Sequence, residues 1–282
     1  MIGFHSPVEV VQNHIRHSIK KTGLSFSQMI LAGALAGAFI ALGCMASATA
    51  AHGISDVGFA RIIGGIVFPI GLMMVVFVGG ELFTGNCLIF MAVLDGKVRW
   101  RHFLQNLGVV YVSNLLGALL IDTLIYFCGT LNFSGGGLGA YLINVAVSKV
   151  ALTPIQAICS AVLCNILVCI ALLMAASAKD VAGKVWAVFF PIFAFFVCGF
   201  EHCVANMFFV PIGMMAAKNP VYVEKAQEIY GLSVEQISTL NLAGCFHNLS
   251  LVTIGNIIGG AVLVGSICYE LHENSENRKA SK

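Results

Sequence analysis

The sequence predicts an all-α polytopic membrane protein: six transmembrane helices forming two inverted three-helix repeats, with helices 2 and 5 interrupted. Three observations predict this. Hydrophobic residues make up 59% of the 282 and charged residues only 10%, with a mean hydropathy of +0.92. A soluble domain carries about 25% charged residues, so this chain is solvated mainly by lipid. Apolar runs reach the roughly 20 residues that cross a bilayer near 27–51, 62–94, 103–129, 154–178, 185–217 and 242–270. Finally, GGELFTGN at 79–86 is echoed by GFEHCVAN at 199–206, an offset of 120.

The chain opens with a helix start. Ser6-Pro7-Val8-Glu9 offers a serine cap, a proline in the first turn and a glutamate three residues on. Val8, Val11, Ile15 and Ile19 then share a face opposite His14, His17 and Lys21. The expectation is an amphipathic helix within 1–26, lying along the cytoplasmic interface; His5, His14 and His17 would let it act as a pH-sensitive lid. Phe26–Ala51 is too long for a signal-peptide core. Its small residues, Gly33, Gly37 and Gly43, suit close helix packing. Residues 27–270 are expected as the transmembrane domain and 271–282 as a disordered cytoplasmic tail.

Orientation follows from lysine and arginine. With the N-terminus cytoplasmic, the inside segments hold Arg16, Lys20, Lys21, Lys97, Arg99, Arg101, Lys179, Lys184, Arg278, Lys279 and Lys282. The outside segments hold only Arg61, Lys149, Lys218 and Lys225. Both termini are therefore expected inside. Asn219-Pro220 and Ser233–Gln236 read as starts of two short external helices.

Composition excludes several functions. A net charge of +2 without a basic block gives nucleic-acid binding no support. The ten cysteines lie mostly within spans, with no C-x-x-C pair, and read as small buried apolar residues.

The two interruptions carry the functional argument. Both contain glycine, a glutamate (Glu81, Glu201) and an asparagine five residues on (Asn86, Asn206). A second echo pairs Asn114-Leu-Leu-Gly117 with Asn256-Ile-Ile-Gly259. Each echo recurs three spans later, so the halves insert with opposite orientation. Inverted repeats with broken helices in matching places point to a site at the bilayer midplane. Unwound backbone is tolerated there only against protein or a watery cavity, and each half-helix start turns a positive dipole end toward it. Such a cavity suits a small anion. Glycine kinks alone would explain the glycines but not the ionisable residues beside them.

These residues resemble the formate/nitrite transporter family. The resemblance is carried by GGELFTGN, the CNILVC run at 164–169, GFEHCVANMF with the following VPIG, and VTIGNIIGG at 252–260. It implies an aquaporin-like fold, a homopentamer with one pore per protomer, and passage of small monovalent anions of weak acids. Carried onto this chain, it implies Thr84, His202, Asn165 and Lys149 as substrate-binding residues. It implies Phe68, Leu72, Leu82, Val168 and Phe195 as apolar constrictions, and a loop-supporting role for Glu201, with Glu81, Asn86, Asn206 and Asn256 beside it. Glu81 before Leu-Phe-Thr and Gly85-Asn86-Cys87 after it look closest to the hydrosulfide branch, making hydrosulfide the first expectation among hydrosulfide, formate and nitrite.

The expected mechanism gathers anions at Lys149 and opposes a bare charge at the apolar rings. His202, whose ordinary pKa lies near neutrality, is the candidate proton partner. The rival readings are a proton-coupled formate or nitrite transporter, a metalloenzyme built on Glu201, His202 and Cys203, and an aquaporin. A metal site would need more converging ligands than Cys245 and His247 supply. An aquaporin would be expected to show Asn-Pro-Ala boxes, and the single Asn-Pro here is Asn219-Pro220. No cofactor, metal or enzymatic activity is expected. The location implied is the bacterial cytoplasmic membrane.

Overall fold

A computed structural model describes residues 3–274. Helix α1 (Pro7–Thr22) begins at a capping box: Ser6 N–H donates to Glu9 at 2.7 Å and Glu9 N–H to Ser6 Oγ at 3.4 Å. The same chemistry starts α2 (Phe26–Ala51) through Ser25 and Gln28. The second crossing is α3 (Val57–Val67) and α4 (Ile70–Val78), then a break, then α5 (Phe83–Asn86) and α6 (Phe90–Leu94). Next come α7 (Trp100–Phe127), α8 (Phe133–Val150) and α9 (Pro154–Ser177). The fifth crossing is α10 (Val181–Cys198), a break, and α11 (Cys203–Ala216). Two short helices follow, α12 (Pro220–Tyr230) and α13 (Val234–Ser238), at the positions the Asn-Pro and Ser-x-x-Gln signals marked. The last crossing is α14 (Leu242–Ile257), a π-helical stretch at Ile258–Gly265, and α15 (Ser266–Tyr269). Six stretches of the described chain are long and apolar enough to span a bilayer.

Small residues set the helix spacing. A side chain on Gly37 would meet the backbone of Asn114, and one on Gly117 the backbone of Ala34, so α2 and α7 touch along their main chains. The second half repeats this contact between α9 and α14. There Gly255 lies against Ile158 and Gly259 against Val162.

Three elements add to or differ from expectation. No helix was anticipated between the third and fourth spans, yet α8 is a buried helix there, entered through the left-handed residues Ser134, Gly135 and Gly136. The glycine run breaks the pattern at its first turn, but Leu138, Leu142, Ile143 and Ala146 behind it are fully buried. Helix α1 turns part of its apolar face, Val11 and Ile15, into the protein. Val10, Val11, Ile15 and Ser18 pack into the protein, Ile19 is exposed, and His14, His17 and Lys21 turn toward a cavity. The last helix also continues through Asn274, into the expected tail; residues 275–282 lie outside the described chain.

Helices α1 and α8 are counterparts. Lys149 follows Lys21 by 128 positions, and Thr153-x-x-Gln156 follows Ser25-x-x-Gln28 by the same 128. Helices α1–α2 and α8–α9 are thus equivalent halves of the repeat. They cap the bundle at opposite ends, called here the α1 side and the α8 side.

Candidate functional site

Each interrupted helix ends on a glycine in the left-handed region, Gly79 at φ 98° and Gly199 at φ 71°. Only glycine takes this conformation without steric cost. After each turn an asparagine from a neighbouring helix ties the loop to the bundle. Asn114 accepts the Phe83 N–H at 2.9 Å and donates to the carbonyls of Gly33 (2.7 Å) and Glu81 (2.9 Å). Asn256 accepts the Cys203 N–H at 2.9 Å and donates to Ala161 (2.8 Å) and Glu201 (3.0 Å). Both side chains are fully buried; each satisfies two backbone groups of its break and ties them to a carbonyl of a neighbouring helix, Gly33 of α2 or Ala161 of α9.

The carboxylates are paired in the same repeated way. Lys21 Nζ lies 3.1 Å from Glu81 Oε2 and 2.8 Å from Asn86 Oδ1. Asn86 donates to Glu81 at 2.7 Å and to Asn106 at 2.8 Å. In the second half Lys149 Nζ lies 2.9 Å from Glu201 Oε1. Asn206 donates to Glu201 at 2.6 Å and to Asn248 at 2.8 Å, and Asn248 returns to the Lys149 carbonyl at 2.8 Å. Low-dielectric surroundings tolerate a carboxylate only with such partners. Lys21, Asn106 and Asn248 were not singled out from the sequence as site residues. The repeat carries them, with Asn248 following Asn106 by 142 as Asn256 follows Asn114.

Between the breaks, Thr84 Oγ1 and His202 Nε2 are 2.9 Å apart and both side chains are buried. His202 caps α11: its Nδ1 accepts the Ala205 N–H at 3.0 Å. That bond uses the Nδ1 lone pair, so the network assigns the ring hydrogen to Nε2, which donates to Thr84. The threonine's own hydroxyl hydrogen is then left to donate elsewhere. Asn165 sits behind the pair, its amide reaching the carbonyls of Thr84 (3.3 Å) and Asn256 (2.6 Å).

Two cavities approach this pair from opposite sides. On the α8 side a cavity of about 170 Å³ is lined by Lys149, Phe68, Phe195, Phe209 and His202. On the α1 side one of about 300 Å³ is lined by His14, His17, Lys21, Lys184, Leu72 and Leu82. Phe195 meets Phe68 edge to face at 5.3 Å and lies over His202 at 6.1 Å. Leu72, Leu82 and Val168 are buried, the first two on the wall of the α1-side cavity. Outside the membrane spans, burial and then Lys21 and His17 push His14 down to about 3. Burial and then Lys20 and Lys21 also lower His17. Among the described residues, no three His, Cys, Asp or Glu side chains converge as metal ligands. Both oxygens of Glu201 are taken by Lys149 and Asn206.

Six apolar crossings, two inverted broken helices and two cavities on opposite sides of a buried polar pair define a membrane transport protein. The chain belongs to the formate/nitrite transporter family, whose family model matches residues 8–270. It is 37% identical over 251 residues to the formate channel FocA of Haemophilus influenzae, covering 87% of this chain and 86% of that protein. It is 36% identical over 235 residues to FocA of Escherichia coli K12, covering 82% and 81%. A solved structure described as a pentameric formate channel with formate bound superposes at a TM-score of 0.76 and 32% identity, covering 87% of this chain and 97% of that one. A second, described as an FNT family ion channel, superposes at 0.79 over 93% and 98%, at 24% identity.

Proposed function

We propose that the chain is a channel for small monovalent anions of weak acids, with Thr84 and His202 as the central contact. The observation that carries this reading is the Thr84–His202 hydrogen bond, held between two cavities by apolar side chains on either side. The Nε2–H tautomer leaves a hydroxyl donor on Thr84, and a donor without a fixed positive charge suits a single small anion. Asn165 holds the Thr84 carbonyl and so fixes that donor's position. The rings at Phe68, Phe195, Leu72, Leu82 and Val168 make a bare charge costly, so the ion crosses them most readily as its protonated acid.

His202 acts here as a neutral hydrogen-bond donor. Taking a second proton on the ring would require it to release the Ala205 N–H and uncap α11. The proton that neutralises the anion therefore comes from the vestibules. Glu81, Glu201, Asn86, Asn206 and Asn256 support the loops, and Lys149 attracts the anion while holding Glu201.

Formate is the leading substrate. The FocA relatives are named formate channels, and the solved neighbour at 32% identity has formate bound. The lean toward hydrosulfide rests on Glu81, Gly85, Asn86 and Cys87; Glu81 and Asn86 are spent on Lys21 and Asn106, away from Thr84's hydroxyl. The pentameric assembly of that same neighbour supports a homopentamer. The lysine and arginine bias supports cytoplasmic termini, with the α8 side facing out of the cytoplasmic membrane.

A proteoliposome panel of formate, nitrite, hydrosulfide and chloride, with and without an imposed pH difference, tests the reading. The weak-acid anions should pass and chloride should not. Uptake against a gradient only under a pH difference would assign a proton-coupled transporter instead.

A further inference from the structure

A third cavity, about 690 Å³, opens on the α8 side between the α2–α3 turn, α8 and α12. It adjoins the Lys149–His202 cavity, and Arg61, Tyr141, Val145 and Phe196 line both. Among the described residues, no aspartate or glutamate lines either cavity.

Arg61 stands at this junction on α3. Its Nη1 donates to the Val197 carbonyl at 2.9 Å, in the last turn of α10. The guanidinium lies directly over Gly199, where an added Cβ would meet Nη1 at 2.7 Å. The broken helix that carries His202 thus holds the arginine in place through its carbonyl end and its glycine.

The two cations nearest the site differ in what remains of their charge. Lys149 is bonded to Glu201 and faces the Phe209 ring at 5.5 Å, with little of its side chain exposed. Arg61 is exposed, and among the described residues it makes no ion pair with a carboxylate. Its remaining N–H groups form a planar fork, the geometry that binds two oxygens of one anion.

We propose that Arg61 is an anion-binding residue at the threshold between the two α8-side cavities, where it selects planar two-oxygen anions such as formate and nitrite over anions with a single acceptor atom, such as hydrosulfide. This rests on the anion-channel reading above. It adds a station ahead of the Thr84–His202 contact and gives the chain a preference that a lysine in the same place would not supply.

The test compares wild type, Arg61→Lys and Arg61→Gln in proteoliposomes, for formate and for hydrosulfide at mildly alkaline pH. Arg61→Gln should lower uptake of both anions about three- to tenfold at low ionic strength, with the difference shrinking in high salt. Arg61→Lys should keep hydrosulfide uptake and lose several-fold in half-saturation for formate. Equal formate behaviour of wild type and Arg61→Lys overturns the selection, and an unchanged Arg61→Gln overturns the site. Passage of no anion by wild type would sink the channel reading instead. Saturation-transfer NMR of formate on the detergent-solubilised protein then still reads the threshold site, with signal expected in wild type and lost in Arg61→Gln. Thermal unfolding of each variant in the same detergent confirms that the fold is intact.

Discussion

Lys21 and Lys149, 128 positions apart, perform the same task at opposite ends of the bundle: each ammonium closes on the glutamate of a broken helix, at 3.1 Å to Glu81 and 2.9 Å to Glu201. Both then join an asparagine ladder built from the following crossing. Two unrelated-looking lysines, one in an amphipathic helix and one beside a glycine-rich segment, are therefore one feature of the repeat used twice.

This pairing predicts unequal costs for removing the two lysines. Breaking a buried ion pair costs about 3–5 kcal/mol because the partner is left charged and unpaired. Side-chain exposure is 13% for Lys149 and 28% for Lys21, so water relieves Glu81 more than Glu201. Lys149→Met should lower the detergent melting temperature more than Lys21→Met. Adding Glu201→Gln to the first should recover most of the loss. Equal shifts, or no recovery, would contradict the pairing.

The two left-handed glycines also separate. An L side chain at such a φ costs about 1–2 kcal/mol, and Gly79 has open space around its missing Cβ. Gly199 has the Arg61 guanidinium in that space. Gly199→Ala should therefore unfold at a lower temperature than Gly79→Ala, and Arg61→Gln should narrow the gap. The melting curves of the three variants and the Gly199→Ala/Arg61→Gln double variant check this.

Acidification should loosen α1. His14 and His17 have lowered pKa values in the docked helix, so the undocked helix binds protons more readily. The docking contribution is complete above the ordinary histidine pKa of about 6.5 and falls as the pH drops toward about 3 for His14. Each pH unit in that window costs at most about 1.4 kcal/mol at His14, and the exposed His17 adds less. Amide exchange across 7–22 should accelerate between neutral and mildly acidic pH, and His14→Leu should remove most of the acceleration. A flat profile in wild type would count against the docked histidines as the cause.

How much of this was legible beforehand follows from where the pattern is strong. The six spans are written in uninterrupted apolar runs, and the breaks in GGELFTGN and GFEHCVAN, because unwinding within lipid needs conspicuous residues. Helix α8 was not legible: Ser134, Gly135 and Gly136 adopt positive φ at its start and mimic a loop. Missing it hid the equivalence of α1 and α8, and with it Lys21 as the partner of Glu81. Periodicity separated the faces of α1, with Val11 and Ile15 buried and His14, His17 and Lys21 opposite, but not what the polar face meets, because a cavity inside the fold obeys the same polarity rule as a surface. Asp122, fully buried with neither carboxyl oxygen hydrogen-bonded among the described residues, is visible in the sequence as the lone acidic residue of the 103–129 run, but no repeat partner marks it.

That carboxyl group supplies another prediction. A buried polar group without a partner costs about 1–3 kcal/mol, and an apolar replacement removes the penalty. Asp122→Leu should leave the melting temperature unchanged or raise it, whereas loss of a hidden partner would lower it.

The central claim is that the Thr84 hydroxyl, positioned by His202 and Asn165, meets the permeating anion. Formate uptake into proteoliposomes by wild type and Thr84→Val tests it most directly, because valine keeps the side chain's shape and removes only the hydroxyl. The account predicts a loss of about tenfold or more with the fold retained in detergent; uptake equal to wild type would contradict it.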